Sequence, residues 1–330
     1  MTPQGTLLLT RSQIAGMLVF DDYLEAIEAA FRSHGNGATL PQGLLHVDSP
    51  FGEFHIKAGG LNLDRMYFAL KNNGGFRDNS RVGLPAIIGS ITLSDATNGY
   101  PLAIMDSGEI TRQRTAAAAA VAAKYLARTD SRVVTVCGCG VQGTMQLSAI
   151  SRVLPITKAY AYDVDGEKCS RFTRELTERL SLEVEPAQNL CRAIQSSDVC
   201  ITCTPSETFY VPANAVGEGT FVAAMGADSP GKQELDPRLV ATSKLVVDII
   251  GQCERAGELH HAIEAGLMTR EGVYAELGEV VAGKKRGRTS KSEITIFDST
   301  GTAMQDTAAA ALAYRRALET GTGKVIDLMS

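Results

Sequence analysis

The stretch RVVTVCGCGVQG, residues 132–143, constrains the fold more than any other part of the chain. It ends in G-x-G-x-x-G, at Gly138, Gly140 and Gly143. The spelling is informative only in context, because 32 glycines in 330 residues produce chance matches. Before it runs Val133–Cys137, apolar and β-branched, the pattern of a strand buried on both faces. After it comes TMQLSAI (144–150), free of Pro and Gly and spaced like a helix. A second apolar run, AYAY (159–162), ends at Asp163, 20 residues beyond Gly143. The order is strand, glycine turn, helix, strand, acid. In such a unit glycines admit a pyrophosphate, the helix N-terminus faces it, and the acid accepts from ribose hydroxyls. Asp163 would repel a 2′-phosphate, so the sequence favours NAD (NADH) over NADP. The competing reading is a tight turn that holds no ligand.

The remaining pattern divides the chain. Residues 10–33 predict two helices, with Thr10 and Asp21 as N-caps and residues 29–31 closing the second. Short strands are expected at 44–47, 53–57, 67–71, 84–93 and 102–105, with a turn at 95–99. Residues 109–128, rich in the best helix former, predict a long connecting helix. Strands at 132–137, 159–162, 198–204, 219–225, 244–249 and 293–297 then alternate with helical stretches, which implies a parallel sheet. A last Ala-rich helix, 302–318, is expected to return to the first domain. The expected fold is α/β: a Rossmann-type, doubly wound parallel sheet plus a mixed α+β domain for substrate binding and dimerisation. The expected boundaries are 1–115 with 303–330, and 116–302.

Charge and composition narrow the function. The net charge is −5, and the one basic run, KKRGR (284–288), lacks interleaved aromatics, so it reads as a solvated loop and no nucleic-acid partner is expected. No apolar run reaches the roughly 18 residues of a membrane span. The first ten residues lack a signal-peptide pattern. The seven cysteines include the pairs Cys137, Cys139 and Cys200, Cys203, which fall in apolar strand runs and read as small hydrophobes. No metal site is read from the sequence. Reduced thiols fit the cytoplasm.

The chain resembles the ornithine cyclodeaminase/mu-crystallin family over nearly its whole length. The resemblance rests on DATNGYPL (95–102), TRQRTAA (111–117), the glycine loop with Gln142, YDVD (162–165), GADSPGKQEL (226–235) and IFDS (296–299). It implies hydride exchange between a nicotinamide and the α-carbon of an amino or imino acid, and a homodimer built through the first domain. By the same resemblance Lys71 meets the substrate, and Arg112 grips a carboxylate close to the cofactor. Gly138, Gly140, Val141, Gln142, Asp163, Thr202, Thr204, Lys232 and Ser299 fall at cofactor positions, and Asp228 faces the nicotinamide. From the residues alone Lys71 reads as a surface lysine at a strand end and Asp228 as a turn cap. Arg114 stands about 200° round the helix from Arg112 and reads as structural.

The chain departs from the cyclodeaminases at two places. They carry a substrate-binding Arg after Leu-Pro, where this chain has Gln42 after Leu40-Pro41. They also carry a Glu for the distal amine of ornithine, where this chain aligns His55, with Lys57 nearby. A distal ammonium would meet cations, and a distal carboxylate would be welcome. His55 and Lys57 alternate onto one strand face, which is either the pocket or a solvated surface. The reading that follows is an NADH-dependent imine reductase or amino-acid dehydrogenase for a small dicarboxylic imino acid, iminosuccinate giving aspartate. In it Lys71 and Asp228 are catalytic, and Gln42, His55, Lys57, Lys71 and Arg112 bind substrate. The alternatives are ornithine cyclodeamination and a non-catalytic, mu-crystallin-like nucleotide-binding protein.

Overall fold

A computed structural model describes residues 5–328, apart from the Ser80 side chain. Residues 1–4, part of the stretch read for a signal peptide, lie outside the described residues. The chain forms two compact units, Met1–Arg114 with Thr302–Ser330, and Thr115–Gly301.

The first unit is built on a sheet that has seven strands among the described residues. They are β1 (Thr6–Leu9), β2 (Gly43–Ser49), β3 (Gly52–Asn62), β4 (Met66–Gly75), β5 (Ile87–Asp95), β6 (Pro101–Asp106) and a C-terminal strand, Lys324–Ile326. β2 to β6 form an antiparallel meander, whereas β1 runs parallel to β6. The strands outrun the sequence expectation, because β3 and β4 continue through glycines and asparagines that pair in register. Lys71 is therefore in the middle of β4, not at its end. Helix α1 (Arg11–Met17) opens with a capping box in which Thr10 and Gln13 satisfy each other's backbone N–H groups. Helix α2 (Phe20–Gly35) is N-capped at Val19, not Asp21; Asp22 reaches back to the Val19 N–H, and the helix runs past residue 31. The C-terminal helix Ala303–Thr320 packs on α2, β3 and β4. Its buried alanines permit close approach to a sheet face that presents Leu61, Tyr67, Ala69, Ile91 and Leu93.

The opposite face of this sheet is apolar and exposed. Leu45 and Val47 on β2, Phe54 on β3, Leu70 on β4 and Ile88 on β5 share it by register. Lys57 and Lys71 point the other way, since side chains alternate along a strand.

The second unit begins within helix α3 (Ser107–Leu126). It holds a parallel sheet of β7 (Val133–Cys137), β8 (Lys158–Tyr162), β9 (Glu183–Pro186), β10 (Val199–Thr202), β11 (Phe221–Ala224), β12 (Lys244–Val247), β13 (Ala275–Glu276) and β14 (Thr295–Asp298). The order is β13-β12-β14-β11-β10-β7-β8-β9. From β7 the chain builds outward through β8 and β9, then returns to place β10 on the other side. That reversal is the switch point of a doubly wound fold, where ligands gather beyond the carboxyl ends of the strands. Arg288 corrects the reading of KKRGR as a wholly solvated loop. Its guanidinium donates to the carbonyls of Leu126 (2.7 Å) and Glu293 (2.6 Å) and to Thr295 Oγ1 (2.9 Å), while Lys284, Lys285 and Arg286 are exposed.

Candidate active site

The glycine loop occupies the switch point. Helix α4 (Val141–Val153) starts at Gly140, which has no side chain to cap it. Its first N–H groups have no acceptor within the helix, and the helix dipole favours an anion there. Gly138 has φ +105°, a conformation that side chains resist. A Cβ on Gly143 would run into the Gly138 carbonyl, so the third glycine is what lets the helix sit tight against the loop. Val141 is exposed at the helix start, and the Gln142 Oε1 is buried without a partner. Around the loop lies a cavity of about 540 Å³ lined in part by Gly138, Gly140, Asp163, Thr204 and Pro205. Asp163, just after β8, is fixed by two backbone donors, Cys139 N–H (2.8 Å) and Asp165 N–H (2.9 Å). The adenosine half of NAD fits this cavity: a glycine cradle, an uncapped helix start and a carboxylate at the rim.

Buried acids hold the loops of this unit. Glu234 accepts from Thr204 N–H and Oγ1 (both 2.7 Å), from Tyr210 OH (2.7 Å) and from Gly226 N–H (2.9 Å). It thereby ties the cavity-lining loop after β10 to the loop that carries Asp228. Burial raises the Glu234 pKa against these donors. Glu258 in turn accepts the N–H groups of Glu234 and Leu235. Asp228 is exposed, and Lys232 reaches its carboxylate at 2.5 Å, so these two expected site residues form an ion pair. Thr202 ends β10 with its Oγ1 buried, close to the Glu234 carboxylate. Ser299 is buried and donates to Asp248 (3.2 Å).

In the first unit the centre is charged and buried. Lys71 Nζ lies 2.7 Å from Asp306 Oδ2, and Arg114 Nε lies 3.0 Å from Asp306 Oδ1. Lys57 is directly across the strand pair from Lys71 and is also buried. Burial pushes the Lys71 pKa down to about 7, and the charges of Arg114 and Lys57 add to that while Asp306 opposes it. Asp306 is held below the usual carboxylate range by Lys71 and Arg114 in spite of its burial. Arg112 pairs with Glu109, and its Nε is buried without an acceptor. Gln42 Oε1 accepts the Ala303 N–H at 2.8 Å, capping a helix whose own N-cap, Thr302, makes no side-chain bond. His55 shares the face of Lys57, but its ring meets Glu53 (3.0 Å) and His46.

Asp306, Glu109 and Glu234 were missed by sequence reasoning. Asp306 had a signal: it is the lone charge in the apolar stretch AMQDTAAAALA, and a charge on a buried helix face needs a partner.

The sequence profile of the ornithine cyclodeaminase/mu-crystallin family matches residues 4–321. The chain belongs to this family. It is 39% identical over 322 residues to the alanine dehydrogenase of Archaeoglobus fulgidus, an alignment that covers 97% of this chain and 98% of that one. Its fold matches an archaeal alanine dehydrogenase dimer with bound NAD at a TM-score of 0.92 and 38% identity, covering 99% and 100% of the two chains. It also matches the iminosuccinate reductase of Paracoccus denitrificans in complex with NAD⁺, with TM-score 0.89, 32% identity, and 98% and 100% covered. Among the described residues no helix is long and apolar enough to cross a membrane.

Proposed function

We propose that the chain is an NADH-dependent imine reductase or amino-acid dehydrogenase for a small dicarboxylic imino acid, with iminosuccinate reduced to aspartate as the leading case. Family membership makes it an NAD-dependent oxidoreductase acting on amino or imino acids. The choice of a dicarboxylic substrate rests on one observation. Lys57 and Lys71 face each other across the strand pair, both buried, beside Arg114 and Asp306. A distal carboxylate directed to these side chains would meet cationic groups, which favour a negative charge. A distal ammonium, as in ornithine, would add a like charge there.

NADH, when bound, supplies the hydride. The residues of this chain then do the positioning on which the rate depends. Asp163 accepts from the adenosine ribose, and the amides at the start of α4 face the pyrophosphate. Gly138, Gly140, Val141, Gln142, Thr202, Thr204 and Ser299 complete the cofactor site in this reading. Lys71 and Arg112 orient the α-carboxylate, and Lys57 meets the distal one. A lysine pKa near 7 leaves Lys71 able to donate or accept a proton at neutral pH. Asp228 governs the proton on the substrate nitrogen, and Lys232 steadies its carboxylate. The Gln42 carbonyl is committed to Ala303, which leaves only its amide N–H₂ for substrate.

The exposed apolar face of β2 to β5 is where a second copy of the chain would dock, in keeping with the dimeric alanine dehydrogenase. The free thiols support a reducing, cytoplasmic setting. The test is NADH oxidation with ammonia and oxaloacetate, pyruvate or glyoxylate, beside ornithine with NAD⁺. Oxaloacetate should be the preferred partner. Efficient conversion of ornithine to proline and ammonia with catalytic NAD⁺ would overturn the reading.

A further inference from the structure

The β2–β3 hairpin carries a second set of ligating side chains. Its sequence, HVDSPFGEFH (46–55), reads H-x-D, four residues, E-x-H. Ser49 pairs with Gly52 around a two-residue turn, so Asp48 lies opposite Glu53 and His46 opposite His55. Opposed residues of an antiparallel pair share a face, and the symmetric spacing therefore gathers all four side chains together. His55 Nε2 is 3.0 Å from Glu53 Oε1, and His46 Nε2 is 3.4 Å from Glu53 Oε2. His46 Nε2 is also 3.0 Å from Asp48 Oδ1, and the two Nδ1 atoms are 3.4 Å apart. One ligating atom from each of His46, Glu53 and His55 falls within 4.8 Å of the other two.

We propose that His46, His55 and Glu53 bind one divalent transition-metal ion of the zinc class, with Asp48 completing the coordination. Ligands held about 2.1 Å from a tetrahedral ion lie about 3.4 Å from one another, and one atom from each of the three residues already lies within 4.8 Å of the others, so side-chain rotation alone would close the set. Two imidazoles with carboxylates suit Zn²⁺, Co²⁺ or Ni²⁺, whereas Ca²⁺ and Mg²⁺ take oxygen ligands. The ligands stand on β2, paired along its whole length, and on the facing part of β3, which is held on its other side by β4. They share the face of Lys57, so a copy docked on the apolar face leaves them accessible. The bland alternative is an imidazole–carboxylate network that is satisfied without an ion.

The two are separated by titrating chelator-treated, full-length protein with Co²⁺ and reading visible absorption. The wild type should develop the intense bands of a tetrahedral site, which Zn²⁺ then abolishes. His46→Ala and Glu53→Gln should each weaken that site by at least about tenfold, with unchanged circular dichroism. The absence of tetrahedral bands in the wild type would overturn the proposal. So would bands of equal affinity in either variant. No substrate or NADH enters the measurement, so it stands or falls separately from the proposed reaction.

Discussion

Replacing Asp306 by Asn tests the charged centre most directly. The substitution keeps the shape and removes a negative charge in contact with two buried cations, Lys71 at 2.7 Å and Arg114 at 3.0 Å. Breaking a buried pair by removing one partner costs about 3–5 kcal/mol, a large part of a typical stability of about 5–15 kcal/mol. The same loss acts on Lys71. Burial has already brought its pKa to about 7, and Asp306 is the charge that opposes a further fall. An opposite charge in contact is worth roughly 1–3 pKa units, so Lys71 should drop to about 4–6. If protonated Lys71 is the working form, kcat/KM of the wild type falls as pH rises through about 7. In Asp306→Asn that limb should move to about 4–6, and activity at neutral pH should fall about tenfold or more. The assay is kcat/KM for imine reduction against pH, with urea unfolding alongside. The double variant Lys71→Met/Asp306→Asn should regain part of the lost stability, because its charges leave together. A limb unmoved in a folded Asp306→Asn protein, or wild-type stability in that variant, would refute the reasoning. If the single variant does not fold, recovery in the double variant remains the deciding result.

Four further outcomes are expected. Lys57→Met should cut the preference for oxaloacetate over pyruvate, each with ammonia, by about tenfold or more, the worth of one charge-assisted contact of roughly 1.5–3 kcal/mol; an unchanged ratio would remove Lys57 from the substrate. Asp163→Ser should erode an NADH-over-NADPH preference of at least about tenfold, read from kcat/KM with each cofactor; equal kinetics in the wild type would sink the assignment. Asp228→Asn should leave NADH binding nearly intact and lower kcat by roughly 10²–10⁴, whereas unchanged turnover would return Asp228 to a turn-capping role. Asp298, which burial raises to about 7, binds its proton more tightly folded than unfolded, so it should make the wild type lose stability as pH rises from about 4 to 7. Asp298→Asn should flatten that slope in chemical unfolding; an unchanged slope would count against it.

The parallel unit was legible because each of its signals is local. The run from Val133 to Asp163 carries strand, turn, helix and acid within one βαβ unit, and in the fold they lie at the switch point. Element ends were less legible. The sequence ends β4 near Lys71 because Asn72, Asn73, Gly74 and Gly75 look like a turn, yet all four pair with β3 and β5. Neighbouring strands override propensity there. The short strands β1, β9 and β13 left no period long enough to read.

The charged centre was harder to read for a different reason. Burial of Lys71 is tolerable because Asp306 answers it, and Asp306 arrives from a helix that also meets Arg114, 192 positions earlier in the chain. Nothing within a short window of Lys71 announces that partner. The helix is set in place in turn by Gln42, whose carbonyl caps it at Ala303. Gln42 stands where the cyclodeaminases carry a substrate-binding Arg. A guanidinium has only donors, so an Arg at this position could not accept the Ala303 N–H. The departure that looks like a lost carboxylate anchor is therefore also a gained helix cap. Gln42→Arg should separate the two roles: lower stability with a changed KM identifies the cap and the pocket together, and lower stability alone leaves only the cap.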